Sequence, residues 1–291
     1  MERDKLGRTG LMVSPVVFGG IIVDGETQEK ANEYVSFGID REVNYFDVAP
    51  SYGIAQERLG PALRPYRKDV FLACKTMKRD YEGAQEELLL SLKALKTDWF
   101  DVYQLHALSK MEDLEEAFGP GGVMEALLIA KRDGLIRNIG FSAHSEEIAL
   151  KAIEMYDFDT VMFPMNWAMG INTGWGDRIS EAVKETYKGF LGIKSLAKRR
   201  YLEDETKDFP KSWVKTIWDE ERLGRLAMKY AIEKGVHTLI PPGDIDHFRF
   251  MLERIDDLRK YPMSDDDKEF LKIHARKLEY YPIWPKKREG E

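Results

Sequence analysis

Short apolar runs alternate with stretches of helical periodicity along most of the chain, and this alternation constrains the fold most strongly. Each apolar run is short and is bounded by turn-forming residues, as is typical of buried strands. Eight strand–helix units of this kind predict a closed (β/α)8 barrel of the TIM type. The predicted strands are Val16–Gly20, Tyr45–Asp47, Val70–Lys75, Trp99–Leu105, Ile136–Ser142, Thr160–Pro164, Phe190–Lys194 and His237–Ile240.

Helix signals support the same organisation. Thr27 is a suitable N-cap for the first helix, and Ser264 with Asp267 has the spacing of a capping box for the last one. Residues 84–95 place their apolar side chains on one helical face. No Ser-rich or Gly-rich linker divides the 291 residues, so we expect one domain with residues 279–291 as a C-terminal tail.

Composition excludes several classes of protein. The 44 basic residues are outnumbered by 51 acidic ones, which argues against a nucleic-acid-binding surface. No apolar run approaches the roughly 20 residues of a membrane helix, and the first residues lack the layout of a signal peptide. The only cysteine, Cys74, cannot form an intramolecular disulfide, so we expect a cytoplasmic protein. No His, Cys, Asp and Glu residues have metal-ligand spacing, so we expect no metal. The oligomeric state is left open.

Polar side chains stand where three successive predicted strands end. Asp47 ends the second strand and is followed by Tyr52, Lys75 ends the third, and His106 follows the fourth. Because the carboxyl ends of parallel strands face one side of a barrel, we expect these side chains to meet. Taken singly, each has a structural explanation, such as a helix cap or a buried salt bridge. Together they predict an acid–base centre.

Four segments occur in a fixed order: YFDVAPSYG with ERLGPAL after it, FLACKT, TDWFDVYQLH and AKRDGLIRNIGFSAH. With these segments the chain resembles the aldo-keto reductase family, from about Leu6 to about Arg254. The resemblance implies the family's barrel and reduction of a small aldehyde or ketone with a nicotinamide cofactor. The family's catalytic tetrad falls on Asp47, Tyr52, Lys75 and His106.

These residue types suit carbonyl reduction. A free tyrosine has a pKa near ~10, so its proton leaves reluctantly at neutral pH. A cation about 4 Å away attracts the tyrosinate by roughly 4 kcal/mol at an effective dielectric constant of about 20, before desolvation. We therefore expect Lys75 to lower the pKa of Tyr52 by about one to three units. Asp47 would keep Lys75 charged, and His106 would hydrogen-bond the carbonyl oxygen.

The cofactor site is predicted from the resemblance, because the chain has no G-x-G-x-x-G motif of the Rossmann type. The family binds its dinucleotide extended across the barrel mouth. The resemblance favours NADP(H), while Asp244, which would repel a 2′-phosphate, keeps NAD(H) open. Met162 stands where the family often has a glutamine that holds the carboxamide, and Asn166 follows that strand. The implied contacts are Gly19, Gly20, Ile21, Ser142, Asn166, Ile193, Lys194, Ser195, Leu196, Lys198, Gly243 and Arg249.

Three further segments have predicted roles around the barrel. Residues 5–11 form a hairpin, and the resemblance implies that it plugs the bottom of the barrel. Long loops at Ala107–Gly122 and Ser195–Glu220, after strands four and seven, are candidates for substrate walls or a lid. Aromatic residues of the second loop either line an apolar pocket or pack the loop onto the barrel: Tyr201, Phe209, Trp213 and Trp218. His144 either contacts the cofactor or caps a helix.

Two other functions remain open from the residues alone. The first is a nucleotide-sensing regulatory protein on the same fold, such as the potassium-channel β-subunits. The altered cofactor positions allow this reading, while the intact tetrad argues against it. The second is a barrel isomerase or lyase that uses Tyr52 as a base.

Overall fold

The computed structural model describes residues 1–279 and 282–284; most of the predicted tail therefore lies outside the described residues. An antiparallel hairpin of β1 (Asp4–Lys5) and β2 (Met12–Val13) precedes the main sheet. Leu6 and Leu11 of this hairpin are buried in one cluster with Tyr45 and Val102 of the main sheet. That the hairpin plugs the barrel stays a prediction.

Eight parallel strands form the main sheet, in which neighbouring strands follow the order of the chain. The strands after the hairpin are β3 (Phe18–Gly19), β4 (Tyr45–Asp47), β5 (Phe71–Thr76), β6 (Phe100–Leu108), β7 (Ile136–Ala143), β8 (Thr160–Pro164), β9 (Gly189–Ile193), β10 (Ala197–Arg200), β11 (Val214–Thr216) and β12 (Thr238–Leu239). Within the described part of the chain, strands β10 and β11 form a separate antiparallel pair. Val16 bridges Leu239, and the Val17 N–H donates to the Leu239 carbonyl at 2.9 Å. This bridge joins the first and last strands, so the sheet closes into the predicted (β/α)8 barrel.

Helices connect the strands and bury their apolar faces against the sheet. They are α1 (Gln28–Ile39), α2 (Ala55–Leu63), α3 (Tyr81–Leu95), α4 (Met111–Phe118), α5 (Val123–Arg132), α6 (Glu146–Met155), α7 (Trp167–Thr173), α8 (Asp177–Glu185), α9 (Glu221–Glu233), α10 (Ile245–Leu258) and α11 (Asp265–Lys277). The predicted caps are confirmed, since the Thr27 side chain accepts from the Lys30 N–H and Ser264 bonds reciprocally with Asp267. Within the described residues, no helix is long and apolar enough to cross a membrane.

Six strand ends at the barrel mouth differ from the predicted ones by one to three residues, and three of these differences mark local bends. Gly20 leaves the first strand and begins a 3-10 turn, Gly20–Val23. Strand β6 runs on past His106, with a register shift between Leu105 and Leu108. Strand β9 stops before Lys194, whose backbone enters the left-handed region at φ +65°. Apolar periodicity did not reveal these local bends.

Both predicted long loops contain secondary structure. The first, Ala107–Gly122, includes helix α4, which buries Leu114 and Ala117. The spacing of these two apolar residues is helical, but their charged neighbours concealed it. The second loop, Ser195–Glu220, includes the β10–β11 hairpin. The two connections are therefore ordered segments at the mouth of the barrel.

Candidate active site

A cavity of about 260 Å³ lies at the C-terminal ends of the barrel strands. Asp47, Tyr52 and His106 line one part of it, and Lys211 and Gly243 line another. The cavity therefore connects the predicted acid–base centre with the turn after the last strand.

The four predicted catalytic side chains come together. The Lys75 ammonium donates to Asp47 Oδ2, and it lies 3.3 Å from the Tyr52 hydroxyl. Lys75 and Asp47 are almost completely buried, at 0% and 2% exposure. The His106 ring stands edge-on to the Tyr52 ring, with 5.8 Å between ring centroids.

A short turn holds Tyr52 beside the strand that ends at Asp47. The Tyr52 N–H donates to the Ala49 carbonyl at 3.1 Å, and the Ile54 N–H donates to Asp24 Oδ1 at 2.9 Å. Gly53 between them has φ +55°, and a Cβ atom there would lie 2.2 Å from Asp24 Oδ1. Only glycine combines this backbone with such close contact, so Gly53 fixes the turn that places Tyr52.

The backbone around His106 is also held. Ala107 has φ +56°, which costs a non-glycine residue on the order of 1 kcal/mol. Its N–H donates to Ser142 Oγ at 2.8 Å, and Arg79 donates to the His106 carbonyl at 2.6 Å. Irregularities of this kind in a strand re-aim side chains near active sites. Here the bend turns His106 into the cavity.

Gln104 was not predicted as a site residue. Its Nε2 donates to Asp47 Oδ1 at 3.1 Å, so Asp47 is held by Gln104 on one oxygen and by Lys75 on the other. The sequence did contain a signal, because Gln104 lies two positions before His106 and alternate residues of a strand share a face. A polar residue on that face of a buried strand needs a partner.

Charge pairing keeps Lys75 protonated. Burial alone would lower the pKa of Lys75, but the negative charge of Asp47 and the nearby Tyr52 more than offset it, so the pKa is raised. Lys75 is therefore an ammonium at neutral pH. It lies within reach of any negative charge that forms on the Tyr52 oxygen.

The expected net lowering of the pKa of Tyr52 is wrong. Burial raises the pKa of Tyr52 above its ordinary value, and the opposing effect of Lys75 is smaller. For His106, burial first and then the charge of Lys75 lower the pKa to about 3. At neutral pH Tyr52 therefore carries its proton, and His106 is a neutral imidazole.

The predicted cofactor contacts divide into two groups. Those lining the cavity are Gly19, Ile21, Ser142, Ile193, Lys194 and Gly243. The others are not part of this lining. Gly20 packs against Val48, and Leu196 is fully buried in the core. The buried Ser195 Oγ has no hydrogen-bond partner among the described residues.

Three of the predicted contacts are already engaged with other protein groups. Asn166 Nδ2 donates to the carbonyls of Lys194, at 3.1 Å, and Ala197, at 2.7 Å. Lys198 forms an ion pair with Glu220, and a terminal guanidinium nitrogen of Arg249 lies 3.3 Å from Asp246 Oδ1. Asn166 thus supports the turn after β9. Its predicted contact with the cofactor stays a prediction.

The aromatic residues of the second long loop, Ser195–Glu220, lie in different surroundings. Trp213 lines the cavity together with His144 and Met162. Phe209 and Trp218 pack instead on the buried His247, with ring centroids at 4.2 and 5.3 Å. Both predicted alternatives therefore occur in one loop.

His144 does not cap the following helix. Ser145 does, by accepting from the Ile148 N–H. Burial, followed by the charge of Lys194, lowers the pKa of His144 to about 4. His144 is therefore a neutral ring on the cavity wall. Among residues 1–279 and 282–284, no three His, Cys, Asp or Glu side chains are grouped to hold a metal ion.

Known proteins share this fold and these segments. Over its whole length the chain superposes on an aldo-keto reductase from Bacillus halodurans in its holo form, with a TM-score of 0.73 and 22% identity, covering all of both chains. It also superposes on a putative aldo-keto reductase from Pseudomonas aeruginosa, with a TM-score of 0.72 and 24% identity, covering 89% of this chain and 95% of that one. At these identities the similarity establishes the fold.

Curated relatives from Bacillus subtilis match a shorter part of the chain. The aldo-keto reductase YhdN is 32% identical over 167 residues, which are 50% of this chain and 48% of the relative. The oxidoreductase YqkF is 28% identical over 176 residues, 56% of this chain and 55% of the relative. The matched part thus spans about half the length of these relatives. The model of the aldo/keto reductase family matches residues 15–215, more than half of the sequence. The chain belongs to the aldo/keto reductase family.

Proposed function

We propose that this protein reduces an aldehyde or ketone to an alcohol with a reduced nicotinamide cofactor. The observation that carries the proposal is the 3.3 Å distance between the Lys75 ammonium and the Tyr52 hydroxyl, with Asp47 on the other side of the ammonium. A protonated phenol beside a fixed cation is the arrangement that proton donation to a carbonyl oxygen requires.

Each member of the tetrad has a role that follows from its protonation state. The neutral His106 donates a hydrogen bond to the carbonyl oxygen and orients it. The chemistry that a reduced nicotinamide would supply, when bound, is a hydride to the carbonyl carbon. Tyr52 gives its proton to the oxygen, and the tyrosinate that remains is stabilised by Lys75. Asp47 and Gln104 keep Lys75 charged and in place. The tyrosinate then regains a proton from water.

The described residues fit a dinucleotide. The unpartnered Ser195 hydroxyl and the wall formed by Gly19, Ile21 and Gly243 would contact it. A Cβ atom at Gly243 would lie 2.9 Å from Ile21 and 3.0 Å from Lys211, so the segment carrying Lys211 crosses close over this turn. Such a close crossing can enclose an extended ligand that lies between the tetrad and Gly243.

The charges beside Gly243 favour NAD(H) over the NADP(H) that the resemblance predicts. Lys211 is paired with Glu26 at 2.9 Å, and Arg249 with Asp246 at 3.3 Å. Asp244 Oδ2 is buried without a hydrogen-bond partner among the described residues. A carboxylate accepts hydrogen bonds from ribose hydroxyls but repels a 2′-phosphate, and both nearby cations already have carboxylate partners.

The test compares the wild type with Tyr52→Phe. Turnover is followed at the nicotinamide absorbance band with a panel of aldehydes, and the affinities for NADH and NADPH are titrated by protein fluorescence. Tyr52→Phe should lose about 10²–10⁴-fold in kcat, the contribution of a positioned general acid, while cofactor affinity stays within about twofold. NADH should bind more tightly than NADPH.

The matched control is Tyr45→Phe. Tyr45 belongs to the same sequence segment and is buried, and its hydroxyl has no partner among the described residues. Its loss should leave kcat unchanged. Full activity of Tyr52→Phe would refute the assigned donor. A wild type that binds nicotinamide without turnover would favour the sensing function, and turnover without nicotinamide would favour an isomerase or lyase.

A further inference from the structure

Lys194 lines the cavity on the side opposite the tetrad. It follows β9, which is four strands away from β5 of Lys75 in the closed ring of eight. Its ammonium lies 4.4 Å from the centroid of the Trp213 ring. Among the described residues, no carboxylate lies within ion-pair distance of this ammonium.

Among the charged side chains that line the cavity, Lys194 is the one without an oppositely charged partner in the described residues. The other charged residues of this wall are Asp47, which is paired with Lys75, and Lys211, which is paired with Glu26. Burying an ammonium without an anion is unfavourable, and here burial lowers the pKa of Lys194 to about 8. A cavity with one unpaired cation is electrostatically complementary to an anionic ligand.

The backbone at Lys194 is held in a costly conformation. A non-glycine residue at φ +65° costs on the order of 1 kcal/mol and persists where its surroundings fix it. Asn166 fixes it by donating to the carbonyls of Lys194 and Ala197, while its own Oδ1 accepts from the Met169 N–H at 3.0 Å. The turn is therefore built to keep Lys194 where it is.

The wall around Lys194 is aromatic. Trp213 and His144 line the cavity beside it, and the Trp213 ring is 5.9 Å from that of Trp284. Such a wall can pack against the hydrocarbon part of an organic acid while the ammonium binds its carboxylate.

We infer that the substrate is a carbonyl compound carrying a carboxylate, with Lys194 binding the carboxylate while Tyr52 and His106 hold the carbonyl group. This inference rests on the proposed function. The phosphates of the cofactor share the anion chemistry, so the experiment separates the two sources.

The experiment uses 4-formylbenzoate and its neutral methyl ester as matched substrates. Wild type should prefer the acid. Lys194→Met should raise KM for the acid by about 10–100-fold, the loss expected for a hydrogen bond to a charged group, and should change KM for the ester far less. Lys194→Arg should retain most of the preference because it keeps the charge. Calorimetric binding of 4-(hydroxymethyl)benzoate to the cofactor complex should weaken in parallel in Lys194→Met.

The matched control is Lys215→Met. Lys215 lies on β11 of the adjacent hairpin but is paired with Glu205 and Asp208, so its loss should leave the acid preference intact. Binding of the acid by wild type should also weaken as pH rises through about 8, the pKa of Lys194. His144, the titratable ring beside it, is neutral throughout this range.

Two results would overturn the inference while leaving the proposed function intact. One is an equal loss for acid and ester, with weaker binding of NADH or NADPH to Lys194→Met, which would assign Lys194 to the cofactor phosphates. The other is an unchanged preference for the acid in Lys194→Met. Failure of wild type to reduce any carbonyl compound with either cofactor would overturn the proposed function, and this inference with it.

Discussion

Two lysines on opposite sides of the barrel mouth differ in their partners, Lys75 behind the Tyr52 side of the cavity and Lys194 on its wall. Lys75 is fully buried against Asp47, and this carboxylate with Tyr52 raises its pKa. Lys194 has an aromatic ring as its neighbour, and burial lowers its pKa to about 8. The first cation has its counter-ion within the fold, whereas the second does not.

The difference separates two uses of a buried charge. A charge neutralised by the protein is fixed in position and serves the chemistry next to it. A charge without a protein partner weakens the fold until a ligand supplies the opposite sign. On this view Lys75 serves the reaction, and Lys194 serves recognition of the substrate carboxylate. Variants on each side of the cavity can test this division.

The largest effect is expected for Lys75→Met. It removes the cation that stabilises the tyrosinate and leaves the buried Asp47 without a counter-charge, although Gln104 still donates a hydrogen bond to it. Activity should fall by about 10³-fold or more, and the free energy of unfolding by about 3–5 kcal/mol, the loss typical of a broken buried pair. Steady-state kinetics and urea unfolding measure the two effects separately.

The control for this variant removes both charges. Asp47→Asn combined with Lys75→Met should recover part of the lost stability, because no unpaired charge remains, but none of the activity. A double variant that is no more stable than Lys75→Met would show that Asp47 is not held as an anion by Lys75.

A smaller effect is expected on the opposite wall from Asn166→Ala. Asn166 is 1% exposed, and its loss removes the side-chain donor from the carbonyls of Lys194 and Ala197. The Lys194 carbonyl keeps the Ala197 N–H as a donor, but the Met169 N–H loses its acceptor. Stability should fall by about 1–3 kcal/mol. Release of the strained turn should raise KM for the carboxylate-bearing probe by about tenfold, or roughly 1.4 kcal/mol, while kcat stays nearly constant.

Asn172→Ala is the matched control on the same helix. Asn172 Nδ2 donates at 2.7 Å to the Ala275 carbonyl, away from the Lys194 turn. A similar loss of stability without a change in KM is expected. If both variants raise KM for the carboxylate-bearing probe equally, the rise reflects a general loss of stability and not a change in the Lys194 turn.

The smallest effect concerns pH on the tetrad side. His106 has a pKa of about 3, and the pKa of Tyr52 is raised, so neither group changes protonation between about pH 5 and 9. We expect kcat for the neutral ester to vary by less than about twofold over this range. A fall in kcat centred near pH 6.5 would mean that His106 titrates as an ordinary histidine.

The fold followed from the sequence because apolar periodicity is a local property. The predicted second and sixth strands, Tyr45–Asp47 and Thr160–Pro164, match β4 and β8 residue for residue. The face of α3 was also predicted, with Ala84, Leu88, Ser91, Leu92 and Leu95 buried. Short elements inside charged segments, such as α4, were missed.

The assembly of the tetrad was predictable because Asp47, Lys75 and His106 lie near the C-terminal ends of three successive strands. Tyr52 lies in the turn that follows the first of these strands. The pKa of Tyr52 was not predictable, because it depends on the balance between burial and the attraction of Lys75. Gln104 and Asn166 were harder still. Their roles rest on hydrogen bonds between positions 57 and 28 residues apart in the chain, and no local pattern records such pairs.

The contact that closes the barrel between its first and last strands, here called the seam, has a consequence for biosynthesis. Two short strands, β3 and β12, meet there through the Val16–Leu239 bridge. Because these residues come from distant parts of the chain, a growing polypeptide on the ribosome lacks the seam until Leu239 has emerged. Gly19 lines the cavity on one side of the seam, and Gly243 lines it on the other. A nascent chain halted before the last strand would therefore lack one wall of the pocket, however well its earlier helices had formed.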